Sequence, residues 1–466
     1  MCLQRQMKAP LPRMKILGEN LFIKEKKCIF ASKRTHKSRL FDMNIYDWIV
    51  IILPVLVSLF AVRWIYFKIL KIAKVKNLVD NPDARKLQKT PVPVVGGLAV
   101  FFGLILGLLA GIAMMGLLGT EVQQLAGITP SPRLLPIVLA MSIMLYVGCM
   151  DDIMGLSPKA RFAIEILVIL GMIFSSGICV DSLHGLWGIT DIPWTVAVPL
   201  TVFAGVGIIN AINMVDGVNG LSSGLCITCS MLFGLYFLGI GDYVNAVLAF
   251  SMAASLFHFF VHNVFGEQSR MFIGDAGTMV MGVLMTWFVM CTMHDAGHSY
   301  SLSHNYCPTA MVVAILSVPV ADTLRVMTMR VLHGKSPFSP DKTHLHHAFV
   351  GIGVSHSITA LSEILINIAV VGIWYLSVRL GAPLHCQLYT VVLVAAIFVW
   401  GTYAFLVYEQ HSHSSIAQWL RHFSPKTHLG KTEWWQRLTY RLDAPEFDQH
   451  ERKNLRERLE RKFMNR

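Results

Sequence analysis

Long apolar runs recur along most of this chain, and they restrict its fold more than any other feature. A run of about 20 residues is long enough to cross a lipid bilayer as a helix. We count eleven candidate spans, at residues 46–66, 93–118, 134–150, 161–178, 194–212, 220–239, 243–262, 272–293, 308–331, 357–378 and 386–408. The strands of a membrane barrel would alternate polar and apolar residues, which these runs do not. The sequence predicts an all-α, polytopic integral membrane protein with about eleven transmembrane helices.

The composition supports a membrane protein and argues against nucleic acid as a partner. Of the 466 residues, 54% are hydrophobic and 15% are charged, whereas about a quarter of a soluble domain is charged. The net charge is +12, but the basic residues are scattered over loops and tails without a recognisable nucleic-acid-binding module. The lipid bilayer is therefore the expected surrounding, and no nucleic acid is expected.

Lysine and arginine residues are concentrated in alternate loops. They are frequent in residues 67–92, present in 332–356 and frequent again after 409. The loops on the opposite side, near 119–133, 179–193, 240–242, 294–307 and 379–385, hold only Arg133 and Arg379. Cytoplasmic loops of membrane proteins carry the excess of positive charge. The first set is therefore predicted to be cytoplasmic, with the carboxyl terminus inside.

Three parts of the chain follow from this pattern. Residues 43–408 carry the eleven spans, and residues 409–466 form a soluble, basic cytoplasmic tail. Residues 1–42 are also basic, although the alternation of the spans would place them outside. We therefore hypothesise that translation begins at Met43, which mass spectrometry of the native amino terminus would test.

Four polar strings lie where apolar runs end, all on the predicted cytoplasmic side. They are residues 148–152, 210–217, 272–277 and 341–347, and their candidate functional residues are Asp151, Asp152, Asn210, Asn213, Asp216, Asp275, His344, His346 and His347. Carboxylates and imidazoles are costly near lipid. Any single one could be an ordinary helix-end residue, such as an N-cap at Asp275. All four together favour a polar site at this face.

The residue types in these strings suit a metal and phosphate groups. The adjacent carboxylates Asp151 and Asp152 repel each other and need a nearby cation or a shared proton. Aspartates with an amide oxygen suit Mg²⁺, which usually also binds substrate phosphates. A zinc site at His344, His346 and His347 is a less favoured alternative, because no thiolate or carboxylate is suitably spaced. Histidine and lysine donors suit phosphate oxygens equally well.

Glycines flank the acidic residues and allow tight turns whose free N–H groups bind anions. They are Gly155, Gly217, Gly220, Gly274 and Gly277. Cations, N–H donors and a metal around a phosphate are what phosphoryl transfer requires. Since the site would lie at the membrane surface, one substrate should be partly lipidic.

The four strings, with residues 93–97 upstream and 336–347 as the last motif, resemble the polyprenyl-phosphate N-acetylhexosamine-1-phosphate transferases of glycosyltransferase family 4. The likeness runs from about residue 43 to 408 and is strongest to the bacterial undecaprenyl-phosphate N-acetylglucosamine-1-phosphate transferases. It implies transfer from UDP-N-acetylglucosamine to undecaprenyl phosphate, with Mg²⁺ or Mn²⁺. It also implies a bacterial inner-membrane protein that initiates a lipid-linked envelope polysaccharide, such as O-antigen.

The resemblance also implies roles for individual residues. Asp275 and Asn213 match metal contacts, Asp151 or Asp152 would be a base or help to hold the metal, and Asp216 would orient the nucleotide sugar. Substrate binding would fall to Lys159, Asn210, Asn219, Arg325, Arg330, Lys342, His344, His346 and His347. Many relatives carry Asp at the position of Asn219, and an amide cannot act as a general base.

Several alternatives stay open at this stage. The donor could be another UDP-sugar or UDP-MurNAc-pentapeptide, and transfer could be direct, which we favour, or pass through a phosphorylated Asp. A transporter is an alternative of another class, but transporters place their acids near broken helices in the middle of the membrane. A homodimer is compatible with the sequence without being predicted by it.

Overall fold

A computed structural model describes residues 45–80, 91–118, 134–294, 306–337 and 342–412, and, near the carboxyl end, 416, 418–419 and 432–446. The basic segment 1–42 and the proposed start Met43 lie outside the described residues. The described chain is almost entirely helical, which confirms the predicted fold class. The longer helices are α1 (Ile45–Lys76), α2 (Gly96–Leu117), α3 (Leu134–Met154), α4 (Pro158–Ser176), α5 (Trp194–Met214), α6 (Leu221–Ile240), α7 (Tyr243–Phe265) and α8 (Gly274–Met293).

The second half of the chain contains shorter and interrupted helices. They are α9 (Pro308–Ile315), α10 (Ser317–Leu332), α11 (Leu345–Ile352), α12 (His356–Arg379), α13 (Leu384–Ala396), α14 (Thr402–Ser412) and α15 (Glu433–Asp443). A π-helical turn, Ile397–Gly401, joins α13 to α14, so that these form one long apolar unit.

The helices match the predicted spans, with two differences in detail. Among the described residues, nine helices are long and apolar enough to cross a membrane. Helices α9 and α10 would make a tenth span, but they meet at a bend of 76°. The predicted span 161–178 corresponds to α4, which is not among these helices because its first two turns carry Lys159, Arg161 and Glu165. These charges interrupt an otherwise apolar helix, and two of them enter the site described below.

Small residues allow the helices to approach closely. Gly103, Gly107 and Gly111 recur every four residues on α2, where added methyl groups would overlap side chains of α1 and α7. Without a hydrophobic driving force in lipid, such close backbone contact is a main source of helix association.

Helix α8 forms the centre of the bundle. All of its residues except Asp275 and Cys291 are buried, and it packs against α2, α3 and α5. Asp275 is in its first turn, so the most enclosed helix of the protein presents a carboxylate at its amino end.

Two short antiparallel hairpins complete the fold. Strands β1 (Val79–Asp80) and β2 (Val92–Pro93) pair just before α2 and bring Pro93 towards the start of α8, where its carbonyl accepts a hydrogen bond from the N–H of Phe272. Strands β3 (Ser182–Leu186) and β4 (Ile189–Asp191) pair between α4 and α5 and contact α9 and α13. This second hairpin lies at the end of the bundle away from Asp275.

Candidate active site at the amino end of helix α8

The acid pair at the end of α3 is divided between two tasks. The carboxylate of Asp152 accepts hydrogen bonds from the N–H groups of Asp275 (2.9 Å) and Ala276 (3.2 Å), so it caps the amino end of α8. Gly274 has φ +70° there, and a side chain at this position would overlap Asp152. Both oxygens of Asp152 are committed to backbone, which leaves Asp151 as the member of the pair that faces other polar side chains.

Arg161 lies at the centre of the polar cluster. Its guanidinium is 3.2 Å from Asp151 Oδ2, donates to Asn213 Oδ1 at 2.7 Å, and is 3.9 Å from Asp275 Oδ1. The turn before α4 places it there, because Ser157 caps the helix and Pro158 opens it. Sequence reasoning missed Arg161. The available signal was a charged residue inside an apolar run.

Asn213 and Asn210 have different partners in this cluster. Asn213 donates through Nδ2 to Asp275 Oδ1 (2.5 Å) and to Thr278 Oγ1 (2.7 Å), which joins the end of α5 to the start of α8. Asn210 instead donates to Oε2 of the fully buried Glu165 (2.6 Å). Glu165 also pairs with Arg161, so Asn210 and Glu165 support the guanidinium from behind.

The loop after α5 carries Asp216 and Asn219. Asp216 is partly buried and accepts a hydrogen bond from Ser222 Oγ (2.5 Å). Burial, followed by the nearby charge of Asp275, raises the pKa of Asp216 to about 7, although the hydroxyl of Ser222 opposes the shift. Asp216 therefore changes charge near neutral pH.

Asn263 ties this loop to the segment before α8. Its Oδ1 accepts from the N–H of Gly220 (2.6 Å), and its Nδ2 donates to the carbonyl of Met271 (2.8 Å). Asn219 is the partly buried residue just before this contact. Asn263 is thus a structural residue that fixes the loop of Asp216 relative to Asp275.

The histidine-rich loop is anchored by Asp322 of α10, another residue that sequence reasoning did not identify. The carboxylate of Asp322 lies 2.8 Å from His344 Nδ1 and accepts a hydrogen bond from the N–H of Leu345 at 3.1 Å. It also forms an ion pair with Arg325 at 2.8 Å. Arg325 also donates to the carbonyl of Thr343. Arg325 was predicted to bind substrate, but in this structure it is buried and contacts the histidine-rich loop instead.

Arg330, also predicted to bind substrate, likewise holds backbone in place instead. It is buried and donates to the carbonyl of Pro337 at 2.6 Å, so that it holds the chain between α10 and α11. The predicted contacts Lys159 and Lys342 are exposed, at the start of α4 and before α11 respectively.

His346 joins the histidine loop to the loop of Asp216. It packs so closely on Gly217 that a side chain there would overlap its ring. Burial and the neighbouring His347 lower the pKa of His346 to about 3, so the ring is neutral at pH 7. The partly buried His347 lies next to it, with 4.3 Å between ring centroids. These contacts bring the last motif to the same end of the bundle as the other three.

The donor set of the central cluster suits a hard cation. Oxygen atoms of Asp151, Asp275 and Asn213 surround the guanidinium of Arg161, and carboxylate and amide oxygens are the ligands that Mg²⁺ prefers, with waters and substrate phosphates completing its shell. In the part of the chain that the structure describes, no three His, Cys, Asp or Glu side chains are grouped as a metal site.

Comparison with known proteins identifies the family. The profile described as "Glycosyl transferase family 4" matches residues 134–293, from the start of α3 to the end of α8. A Bacillus subtilis (strain 168) protein named "Probable undecaprenyl-phosphate N-acetylglucosaminyl 1-phosphate transferase" is 30% identical over 319 residues, which are 68% of this chain and 82% of that protein. The chain belongs to glycosyl transferase family 4.

Two further relatives show similar agreement. Proteins of Yersinia pestis and Salmonella typhi, both named "Undecaprenyl-phosphate alpha-N-acetylglucosaminyl 1-phosphate transferase", are each 29% identical to this chain. The matches cover 70% of this chain and 83% of the Yersinia protein, and 64% of this chain and 76% of the Salmonella protein. The resemblance drawn from the motifs is confirmed, and this family 4 protein is a multi-pass membrane enzyme.

Proposed function

We propose that this enzyme transfers N-acetylglucosamine-1-phosphate from UDP-N-acetylglucosamine to undecaprenyl phosphate. The products would be undecaprenyl-diphosphate-N-acetylglucosamine and UMP. The observation that carries the proposal is the cluster of Asp151, Asn213 and Asp275 around Arg161 at the amino end of α8. The relatives' names support the lipid acceptor and the sugar.

The reaction balances as a single displacement. An oxygen of the lipid phosphate attacks the phosphorus that carries the sugar, and the bond from that phosphorus to the bridging oxygen breaks, so that UMP leaves. Most of the catalysis in such a step is positioning and charge neutralisation. Of the two adjacent acids at the end of α3, Asp151 is the one whose carboxylate does not cap α8, so we assign it the role of accepting the proton of the lipid phosphate.

Mg²⁺, with Mn²⁺ as a substitute, is part of the proposal. Asp275 and Asn213 would hold it, and when bound it would neutralise charge on the diphosphate oxygens. Arg161 shares the same oxygens, so it keeps the carboxylates compensated and remains beside the phosphates as a second cation.

The two loops next to the cluster would bind the nucleotide sugar. Asp216, at the end of α5, would orient it, and Asn219 in the same turn would add hydrogen bonds. Neutral His346 would contact it as a hydrogen-bonding group, with His344 and His347 beside it. Arg325 and Arg330 would act by holding the histidine loop in place, whereas the exposed Lys159 and Lys342 would attract phosphate at the rim.

The setting of the reaction is also proposed. The distribution of basic loops favours a cytoplasmic active site and carboxyl terminus, and the bacterial relatives favour the inner membrane. There the product would initiate a lipid-linked envelope polysaccharide such as O-antigen. No homodimer is needed for the proposed chemistry, because the cluster is built within one chain.

The test is UMP release by the purified protein in detergent, with undecaprenyl phosphate, Mg²⁺ and a panel of UDP-sugars that includes UDP-MurNAc-pentapeptide. We expect release with UDP-N-acetylglucosamine that EDTA abolishes and added Mg²⁺ restores. Release with a different donor alone would keep the phosphotransfer but replace the sugar. No release with any donor would refute the proposal, and ion flux across liposomes would then be measured.

A further inference from the structure

Helix α15, in the tail beyond the transmembrane helices, contacts the segment that leads into Asp275. Its last residue, Asp443, is only 3% exposed, although it lies in a tail that the sequence marks as basic and soluble. Its partners are Glu267, Gln268 and Ser269, in the connection between α7 and α8, which we call the α7–α8 loop (residues 266–273).

The contact is made by one carboxylate and four donors. Asp443 accepts from the N–H groups of Glu267 (3.2 Å), Gln268 (3.0 Å) and Ser269 (3.0 Å), and from Ser269 Oγ (2.6 Å). Consecutive backbone N–H groups in a turn form a concave anion site, and hydrogen bonds to an ionised acceptor are stronger than neutral ones. The tail thus fills an anion site of the α7–α8 loop with its own side chain.

The rest of α15 packs on the end of α7. The ring of Phe265 lies 4.7 Å from Trp435 and 6.1 Å from Trp434, measured between centroids. Thr439 Oγ1 donates to the carbonyl of Phe265 at 2.9 Å. Both ends of α15 are therefore fixed to the protein, and Asp443 does not reach the loop as an isolated side chain.

The α7–α8 loop is also hydrogen-bonded to neighbouring segments along its course from Ser269 to the active site. The carbonyl of Ser269 accepts from the hydroxyl of Tyr66 (2.7 Å). Three residues later the N–H of Phe272 donates to the carbonyl of Pro93 (2.8 Å), and the N–H of Gly97 donates to the carbonyl of Ile273 (2.9 Å). Gly274 and Asp275 follow, and the N–H of Asp275 donates to Asp152, so the backbone from Ser269 to Asp275 is held at both ends.

We propose that Asp443 is a positioning residue, which acts through the α7–α8 loop to place Asp275 in the active site. The inference rests on the proposed function insofar as Asp275 is taken to serve phosphotransfer. Its structural part, the clamping of the loop by the tail, stands without it. The tail then has a role within the enzyme: it supplies the hydrogen-bond acceptor for the N–H groups of the α7–α8 loop.

The experiment compares three full-length variants with the wild type in detergent. Asp443→Ala removes the acceptor, Asp443→Asn keeps its shape but not its charge, and Glu433→Gln is the control. Glu433 is on the same helix, its side chain is 48% exposed, and it pairs with the exposed Arg437. Two quantities are measured: hydrogen–deuterium exchange of peptides covering residues 266–276, and the kcat and KM of UMP release.

We expect Asp443→Ala to exchange faster at residues 267–269 and also at 272–276. Its kcat should fall about tenfold, because small misplacements of a reacting group cost up to about 100-fold, while KM for the UDP-sugar stays within about twofold. Asp443→Asn should lie between this variant and the wild type, and Glu433→Gln should match the wild type. A smaller folded fraction would also lower the apparent kcat at constant KM, so kcat is expressed per folded protein. Faster exchange confined to residues 267–269 and 272–276 then distinguishes positioning from loss of the fold.

Two results would overturn the inference. One is unchanged exchange at residues 272–276 in both Asp443 variants. The other is faster exchange there with a wild-type kcat. If Asp443→Ala does not fold, Asp443→Asn decides by the same criteria. If the wild type releases no UMP with any donor, the proposed function fails separately, and exchange at 272–276 alone decides whether the tail positions the start of α8.

Discussion

At the scale of single residues, Arg161 connects the groups on which the proposed chemistry depends. It contacts Asp151, Asn213 and Glu165 directly and lies within 3.9 Å of Asp275. Removing a cation from a group of partly buried carboxylates leaves them uncompensated, which usually costs more than the ion pair contributes. A bound divalent cation at the same oxygens would offset part of this cost.

This balance predicts the effect of Arg161→Ala on stability. Without metal, we expect the variant to be less stable by about 3 kcal/mol and to melt at a lower temperature than the wild type. Added Mg²⁺ should raise its melting temperature by more than that of the wild type. Thermal melting in EDTA and in Mg²⁺ measures both shifts, with the exposed neighbour Lys159→Ala as control. An equal Mg²⁺ shift in all three proteins would contradict shared use of the oxygens.

Asp216 provides a prediction about pH. Its pKa in the folded protein is about 7, above the ordinary value of 3.8, so folding favours the protonated form. The stability that this proton contributes is full below about pH 4 and is lost as pH rises through 7. Asp216→Asn lacks this loss. In EDTA, the melting temperature of the variant minus that of the wild type should therefore increase from pH 5 to pH 8. A difference that stays constant over this range would refute the assignment.

At the scale of elements, the motifs hold helix ends together as well as supplying polar groups. Asp152 caps α8, Gly148 lies against the backbone of Ala276, and Gly97 lies against that of Gly277. A side chain at either glycine would overlap main-chain atoms, which cannot move aside as a flexible side chain can. The glycines of the motifs thus set the distance between α2, α3 and α8.

Gly97→Ala tests this packing. The added methyl group would overlap the backbone of Gly277, and overpacking of this kind costs about 1–3 kcal/mol. Gly116→Ala on the same helix is the matched control, because nothing lies within 4 Å of its added methyl group and alanine is the better helix former. Melting temperatures should fall for Gly97→Ala and stay equal or rise for Gly116→Ala. A similar change in both would exclude a close contact at Gly97.

The limits of sequence reasoning also show at this scale. Apolar length predicted every long helix, because a span must be continuous and apolar. The bend at Leu316 was not predicted, because apolar length alone does not distinguish a straight span from a broken one; Pro319, three residues later, was the available signal. Arg161 and Asp322 were missed because one charge in an apolar run does not reveal which distant side chains it meets. The contact of Asp443 with the α7–α8 loop joins residues about 174 positions apart, and no local pattern encodes it.

At the scale of the whole molecule, the fold brings the four motifs to one end of the bundle. Asp152 joins α3 to α8, Asn213 joins α5 to α8, and His346 joins the histidine loop to the turn after α5. The predicted polar face is therefore one connected site. The central claim is that this site performs phosphosugar transfer, with Asp275 as a ligand of the metal that neutralises the diphosphate.

The measurement that tests this claim most directly is UMP release by Asp275→Asn beside the wild type, with undecaprenyl phosphate, UDP-N-acetylglucosamine and Mg²⁺. The amide keeps the size of the side chain but removes its charge, so the fold should persist, as a melting curve would confirm. We predict turnover at least about 100-fold lower, since loss of one electrostatic contact to the transition state has effects of that order. Turnover equal to that of the wild type would contradict the account.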